Sequence, residues 1–142
     1  MAGFLTPLRL EFIDGKNWRV TEPFEYRLGS DDGSESIQIP IGFETDFASI
    51  PRGLWNIFPP TGGYGKAAVV HDWLYRRRII TTGDGSTRLC NRGEADKILL
   101  EAMGVLGCSR FTRWTIYSAV RVGGHGAWQD SRRTENNDGG HH

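Results

Sequence analysis

From Leu8 to Phe43 the apolar residues fall largely on alternate positions, and this period constrains the chain more than any other feature. Leu8, Leu10 and Phe12 alternate with Arg9 and Glu11; "DGKN" at Asp14 to Asn17 supplies a turn, and Trp18 to Val20 begins a return strand. Phe24, Tyr26 and Leu28 repeat the pattern. "GSDDGSE" from Gly29 to Glu35 is a turn or loop, and Ile37, Ile39 and Ile41 share one face of a strand running to Phe43. A small antiparallel sheet of about three or four strands follows.

Past Phe43 the period is lost. "DFASIPRGLW" and "NIFPPTGGYG" together hold three prolines and several glycines, as expected of an ordered loop that turns more than once. Apolar spacing of three and four then takes over, predicting helices over Tyr64 to Arg78, Arg92 to Met103 and Arg110 to Val122. Ile98, Leu99, Ala102 and Met103 face inward on the second; Phe111, Trp114, Ile116, Tyr117 and Val120 mark the buried side of the third. "TTGDGST" reads as a flexible turn between the first two. The fold class is therefore α+β: an amino-terminal antiparallel sheet followed by three helices. The chain has 142 residues, 38% of them hydrophobic, enough for one core. A single domain is expected over residues 1–130, with a polar, flexible tail over 131–142.

Seventeen basic residues balance seventeen acidic ones, which argues against dedicated nucleic-acid binding. Arg76, Arg77 and Arg78 are more simply a solvated helix end than a phosphate site. No apolar run reaches the length of a membrane span, and the first residues lack the pattern of a secretory signal. Cys90 and Cys108 are the only cysteines; one pair makes no disulfide framework, and whether they bond stays open. "PPTGGYGK" lacks the spacing and the terminal Ser/Thr of a nucleotide-binding loop. Its glycines let the backbone pass close to the sheet or turn carbonyls toward a cation.

The polar residues in apolar company carry the chemistry. His71 and Asp72 directly follow Ala67, Ala68, Val69 and Val70, so helical spacing places them among Ala67, Ala68, Val69, Leu74 and Tyr75. Asp96 precedes Ile98, Leu99 and Leu100, and Asp46 lies between Phe43 and Phe47. An unpaired buried charge costs several kcal/mol, so these groups need each other, backbone donors or a metal. Packing the first two helices antiparallel lets Asp96 face His71, orienting the ring and freeing its other nitrogen to take a proton or bind a metal. The same residues could also form a purely structural network. Ser49 is a candidate nucleophile by residue type, but "DFASIPR" lacks a strand-turn-helix elbow, so capping is expected. His125, in "GGHGAW", suits a site contact and an exposed turn equally.

"GFETDFASIPRGLW", "GGYGKAAVVHDWLY", "RGEADKILLEAMGVLG" and "IYSAVRVGGHGAW" occur in that order between Gly42 and Trp128. In combination they resemble a family of short bacteriophage and prophage proteins known by an uncharacterised-domain label. The resemblance implies phage origin and supplies no activity. Its recurrent positions match Asp46, Ser49, Pro51, Arg52, His71, Asp72, Tyr75, Asp96, Tyr117, Arg121 and Trp128. A second resemblance is mechanistic: "HDWLY" followed by an aspartate on the next helix is similar to secreted phospholipase A2. That likeness would make His71 the base, Asp72 a calcium ligand and Asp96 the group that orients the ring. The cysteines flanking that motif are absent here, and the glycine loop lies nearer the histidine.

These features lead to the expectation of a hydrolase, metal-assisted in one version, acting on peptidoglycan or phospholipid. His71 and Asp96 are its catalytic candidates, and Asp46 and Asp72 its metal candidates, with calcium or zinc as the ion. Ser49, Arg52, Tyr75, Tyr117, Arg121 and His125 are its binding candidates. The rival expectation is a non-enzymatic virion (tail) or assembly component, partnered by other phage proteins. Either would be made in the host cytoplasm, and the second would travel in the particle. The enzyme requires that acidic side chains gather around the imidazole where water can reach it; a sealed ring, or neighbours scattered across the molecule, ends the case for chemistry.

Overall fold

The alternating segments do form strands. In the computed structural model, residues 2–14, 17–29, 34–47, 49–54, 63–123 and 128 are described. Strands β1 (Gly3–Phe4), β2 (Leu10–Asp14), β3 (Asn17–Val20), β4 (Phe24–Arg27), β5 (Ser36–Ile39) and β6 (Glu44–Thr45) precede a single 3-10 turn at Arg52–Leu54 and helix α1 (Gly65–Arg76). A hairpin of β7 (Ile79–Thr81) and β8 (Thr87–Leu89) then leads into α2 (Arg92–Val105) and α3 (Arg110–Gly123). The architecture is α+β, with antiparallel sheets in the amino-terminal half and three helices.

Two sheets share the strands. One has five in the order β1-β4-β5-β7-β8 and the other three in the order β2-β3-β6. In the larger, Phe24 pairs with Ile39 and Tyr26 with Ile37, and all four side chains are buried. Alternation along both strands therefore puts one continuous apolar face inward. Each such side chain, once fully buried, contributes about 1.5–3 kcal/mol relative to exposure. Tyr26 also reaches across to α2, its hydroxyl donating to Glu101 at 2.6 Å.

Helix α1 lies against β5 and β6 on one side and α2 on another, so every residue from Ala67 to Tyr75 is buried. A helix covered around its girth cannot turn polar residues to water. This placement seals His71 and Asp72 inside. Helix α2 starts on Asn91, whose side chain accepts from Glu94 N–H at 2.8 Å. It ends in a paired cap: Gly107 N–H reaches Gly104 C=O at 3.1 Å and Cys108 N–H reaches Met103 C=O at 3.0 Å. That cap needs the left-handed backbone of Gly107, at φ 83°.

Three local expectations are corrected. The turn expected between the first two helices is there, but it is the tip of the β7–β8 hairpin, whose strands were not expected, and β7 joins the main sheet beside β5. With only Ile79 and Ile80 as apolar residues in β7, the strand is too short to show a period. Ile41 is 62% exposed, because the chain turns at Gly42 (φ 94°) and leaves the strand before reaching it. Phe111 and Trp114 are exposed as well, since α3 buries only the narrow stripe of Ile116 and Val120. Cys90 is buried and Cys108 half-buried, and neither forms a disulfide. Among the described residues, no helix is long and apolar enough to cross a membrane.

Candidate functional site

One hydrogen-bonded line crosses the interior from the loop after β6 to α2. His71, in the middle of α1, is wholly buried. Its Nδ1 lies 3.0 Å from Ser49 Oγ and its Nε2 lies 2.7 Å from Asp96 Oδ1. The Tyr75 hydroxyl, one helical turn on, donates to the same Oδ1 at 2.7 Å. Arg121, near the end of α3, donates from Nη1 to Asp96 Oδ2 at 2.8 Å, and Arg92 Nη1 lies 3.6 Å from that oxygen. Helices α1, α2 and α3 therefore meet on one carboxylate, and the loop after β6 reaches it through His71.

Burial opposes ionisation of Asp96, but the hydrogen bonds from His71, Tyr75 and Arg121 outweigh it and hold the carboxyl below its usual range. A carboxylate only accepts, so Nε2 carries the ring proton when the imidazole is neutral. Nδ1 is then an acceptor, and the Ser49 hydroxyl must be the donor. Burial, reinforced by Asp96 beside it, pushes the Tyr75 phenol upward, so it stays protonated and keeps donating.

The second pair of carboxylates goes elsewhere. Asp72 is buried, accepts from the Thr45 hydroxyl at 2.7 Å, and lies 3.4 Å from Arg76 Nε. Arg76 also donates from Nη2 to Asp46 Oδ1 at 2.7 Å and from Nη1 to Glu44 C=O at 3.1 Å. One guanidinium thus ties Asp72 to Asp46 and to β6. For Asp72 burial wins: its carboxyl is raised above the usual range, although Arg76 and Thr45 pull the other way. Arg76 lies within reach of both carboxylates, so a divalent cation bridging them would have to displace it. Among the described residues, no group of three potential metal ligands converges.

Of the residues singled out in the sequence, Ser49, His71, Tyr75, Asp96 and Arg121 are brought together, while Asp46 and Asp72 form the neighbouring Arg76 cluster. Tyr117 stands one turn before Arg121 with its ring edge-on to Trp114 at 5.5 Å. His125 and the side chain of Arg52 lie outside the described residues. Thr45 and Arg92 were not anticipated as site residues, and Arg76, expected at a solvated helix end, is turned to Asp72 and Asp46 instead. The two arginines could have been found, since each stands four residues from its aspartate on one helix face. Thr45, distant in sequence from Asp72, carried no such mark.

Trp128 covers the outer end of the line, its ring edge-on to Tyr75 at 5.3 Å and 3.7 Å from the Arg78 guanidinium. Arg78 also donates to Trp128 C=O at 2.8 Å. Arg78 has φ 60°, a left-handed backbone that closes α1 through its N–H to Leu74 C=O at 3.1 Å.

Fold and site together define an α+β protein built around a buried serine–histidine–aspartate line, anchored by one tyrosine and two arginines. The profile of the family described as "Protein of unknown function (DUF1353)" matches residues 18–120, and the chain belongs to that family. The match includes Ser49, His71, Tyr75, Arg92 and Asp96 and stops one residue before Arg121. No curated protein and no solved structure matches the chain.

Proposed function

We propose that the protein is a phage-encoded hydrolase acting on a component of the bacterial envelope, with His71 as general base and Asp96 orienting it. The observation that carries this reading is the hydrogen bonding of His71: Nε2 held by Asp96 at 2.7 Å and Nδ1 turned to a hydroxyl at 3.0 Å. That arrangement fixes the tautomer and aims the basic nitrogen at an oxygen carrying the proton to be removed. A network of ionised groups is a poor way to gain stability, because well-packed apolar residues often serve as well or better. Phage origin rests on the resemblance of the four sequence segments, and the substrates to try are the two that a phage must breach, peptidoglycan and phospholipid.

The test is release of soluble fragments from purified sacculi, and of fatty acid from phosphatidylglycerol vesicles, by the full chain. His71→Ala, shown folded by circular dichroism, should lower whichever activity is found by roughly 100-fold or more. No release from either substrate would overturn the envelope assignment.

The ring is wholly buried, the outcome expected to end the case for chemistry, and this favours a second reading, in which the line is structural and the protein is a non-enzymatic virion (tail) or assembly component. Stoichiometric presence in purified particles, without hydrolysis, would establish it over the first.

A further inference from the structure

We infer that Ser49 is the nucleophile, so that the site works through a covalent acyl-serine and takes substrates with a carboxylic ester or amide bond. This rests on the hydrolase reading and adds the attacking group and the bond class. Asp96 receives donors from His71, Tyr75 and Arg121, so in the neutral ring Nε2–H is committed to it and Nδ1 accepts. The hydroxyl of Ser49, 3.0 Å away, therefore points its proton at the basic nitrogen, as an activated serine requires.

The local backbone provides what the sequence lacked. Phe47 stands at φ 57°, a left-handed conformation unfavourable for a side chain of its bulk, and Ile50 N–H closes a turn on Phe47 C=O at 3.0 Å. Phe47 N–H in turn donates to Thr45 Oγ1 at 3.2 Å, the hydroxyl that holds Asp72. Ser49 is thus presented from a strained, pinned turn even though no Gly-x-Ser-x-Gly elbow is present. The Arg76 cluster holds that turn through Thr45 and acts by positioning.

The reaction balances with water as the only co-reactant. Ser49 Oγ bonds to the acyl carbon, its proton passes to His71 Nδ1, and the carbonyl π electrons move onto oxygen. Collapse expels the alcohol or amine, which takes the proton from Nδ1. Water then attacks the acyl-serine, giving its proton to the same nitrogen, and the acid leaves as Ser49 regains its proton. Asp96 stabilises the imidazolium in both halves. Ser49 is 2% exposed, so labelling itself reports whether a reagent reaches its hydroxyl. Pro51 meets the end of α3 closely enough that a Cβ on Gly123 would lie 3.3 Å from its Cγ.

The experiment treats the full chain with a fluorophosphonate and with p-nitrophenyl butyrate, followed by intact and peptide mass spectrometry. The expected result is one adduct, mapped to Ser49, and ester hydrolysis with an acyl-serine burst. Both should be absent in Ser49→Ala, and labelling should fall about 100-fold in His71→Ala. Ser49→Cys keeps the volume and should trap a thioester on the same peptide, which covers the case in which Ser49→Ala does not fold. Hydrolysis that survives Ser49→Ala but not His71→Ala would overturn the nucleophile and leave the hydrolase standing. Folded wild-type protein that neither labels nor hydrolyses would overturn both. Phosphatidylglycerol vesicles and sacculi, run in parallel, separate lipid ester from peptide amide as the acyl source.

Discussion

Asp96 and Asp72 are both buried, both stand beside His71, and their carboxyls are driven in opposite directions. Asp96 gathers His71, Tyr75 and Arg121 and is held low; Asp72 has the Thr45 hydroxyl and one face of Arg76, already shared with Asp46, and is raised. Burial alone therefore does not set the charge of an interior carboxyl. Its surroundings decide as well: three side-chain donors pull Asp96 down, while deeper burial and the charge of Asp46 push Asp72 up.

The largest effect expected from this contrast comes from Asp96→Ala, which leaves His71, Tyr75 and Arg121 facing an empty position. It should cost about 3–5 kcal/mol in urea unfolding. A loss under about 1 kcal/mol would mean that the packing of the three helices does not depend on this carboxylate. Acid titration sharpens the point. A carboxyl held below its unfolded value of about 3.9 contributes stability that is complete above that value and disappears as pH falls through the lower folded one. Asp96→Asn should remove that acid-side dependence.

Tyr75→Phe takes away one donor and little volume, and should cost about 1.5–3 kcal/mol, the range for a hydrogen bond to a charged group. It should also move the Asp96 titration upward, visible as acid unfolding at higher pH. An unchanged acid limb would separate Tyr75 from the network.

The smallest effect belongs to Asp72→Asn, which keeps an acceptor for Thr45 and removes a charge that the fold holds poorly. Stability at neutral pH should stay level or rise, by less than about 1 kcal/mol. The sign is opposite to that of Asp96. With a raised folded value, the cost of ionising Asp72 is present above it and relieved as pH falls through it, so any advantage of the variant should shrink toward acid. A variant less stable than wild type by more than about 1 kcal/mol would put Asp72 in the same class as Asp96.

Much of this was legible in the chain. The alternation of Phe24, Tyr26, Ile37 and Ile39 named the inner face of the main sheet, and the spacing around Asp96 put it inside a helix that faces His71. Burial of His71 and Asp72 followed from the apolar run before them. The β7–β8 hairpin was illegible because two isoleucines make no period. Phe111 and Trp114 misled because helical spacing shows which residues share a face and says nothing of how wide a face the neighbours cover. Ser49 was read as a cap because "DFASIPR" lacks a strand-turn-helix elbow, and the histidine it meets comes from a distant segment.

The sequence by itself determined that polar groups would be buried in α1, since a helix apolar around its girth must be enclosed and must carry His71 and Asp72 with it. The pairing of His71 with Asp96 was legible as well, and only the tertiary structure decided the remaining partners. Ser49, Asp96, Thr45 and Arg121 arrive from other segments, and a hydrogen bond forms only where those segments bring donor and acceptor within about 3 Å.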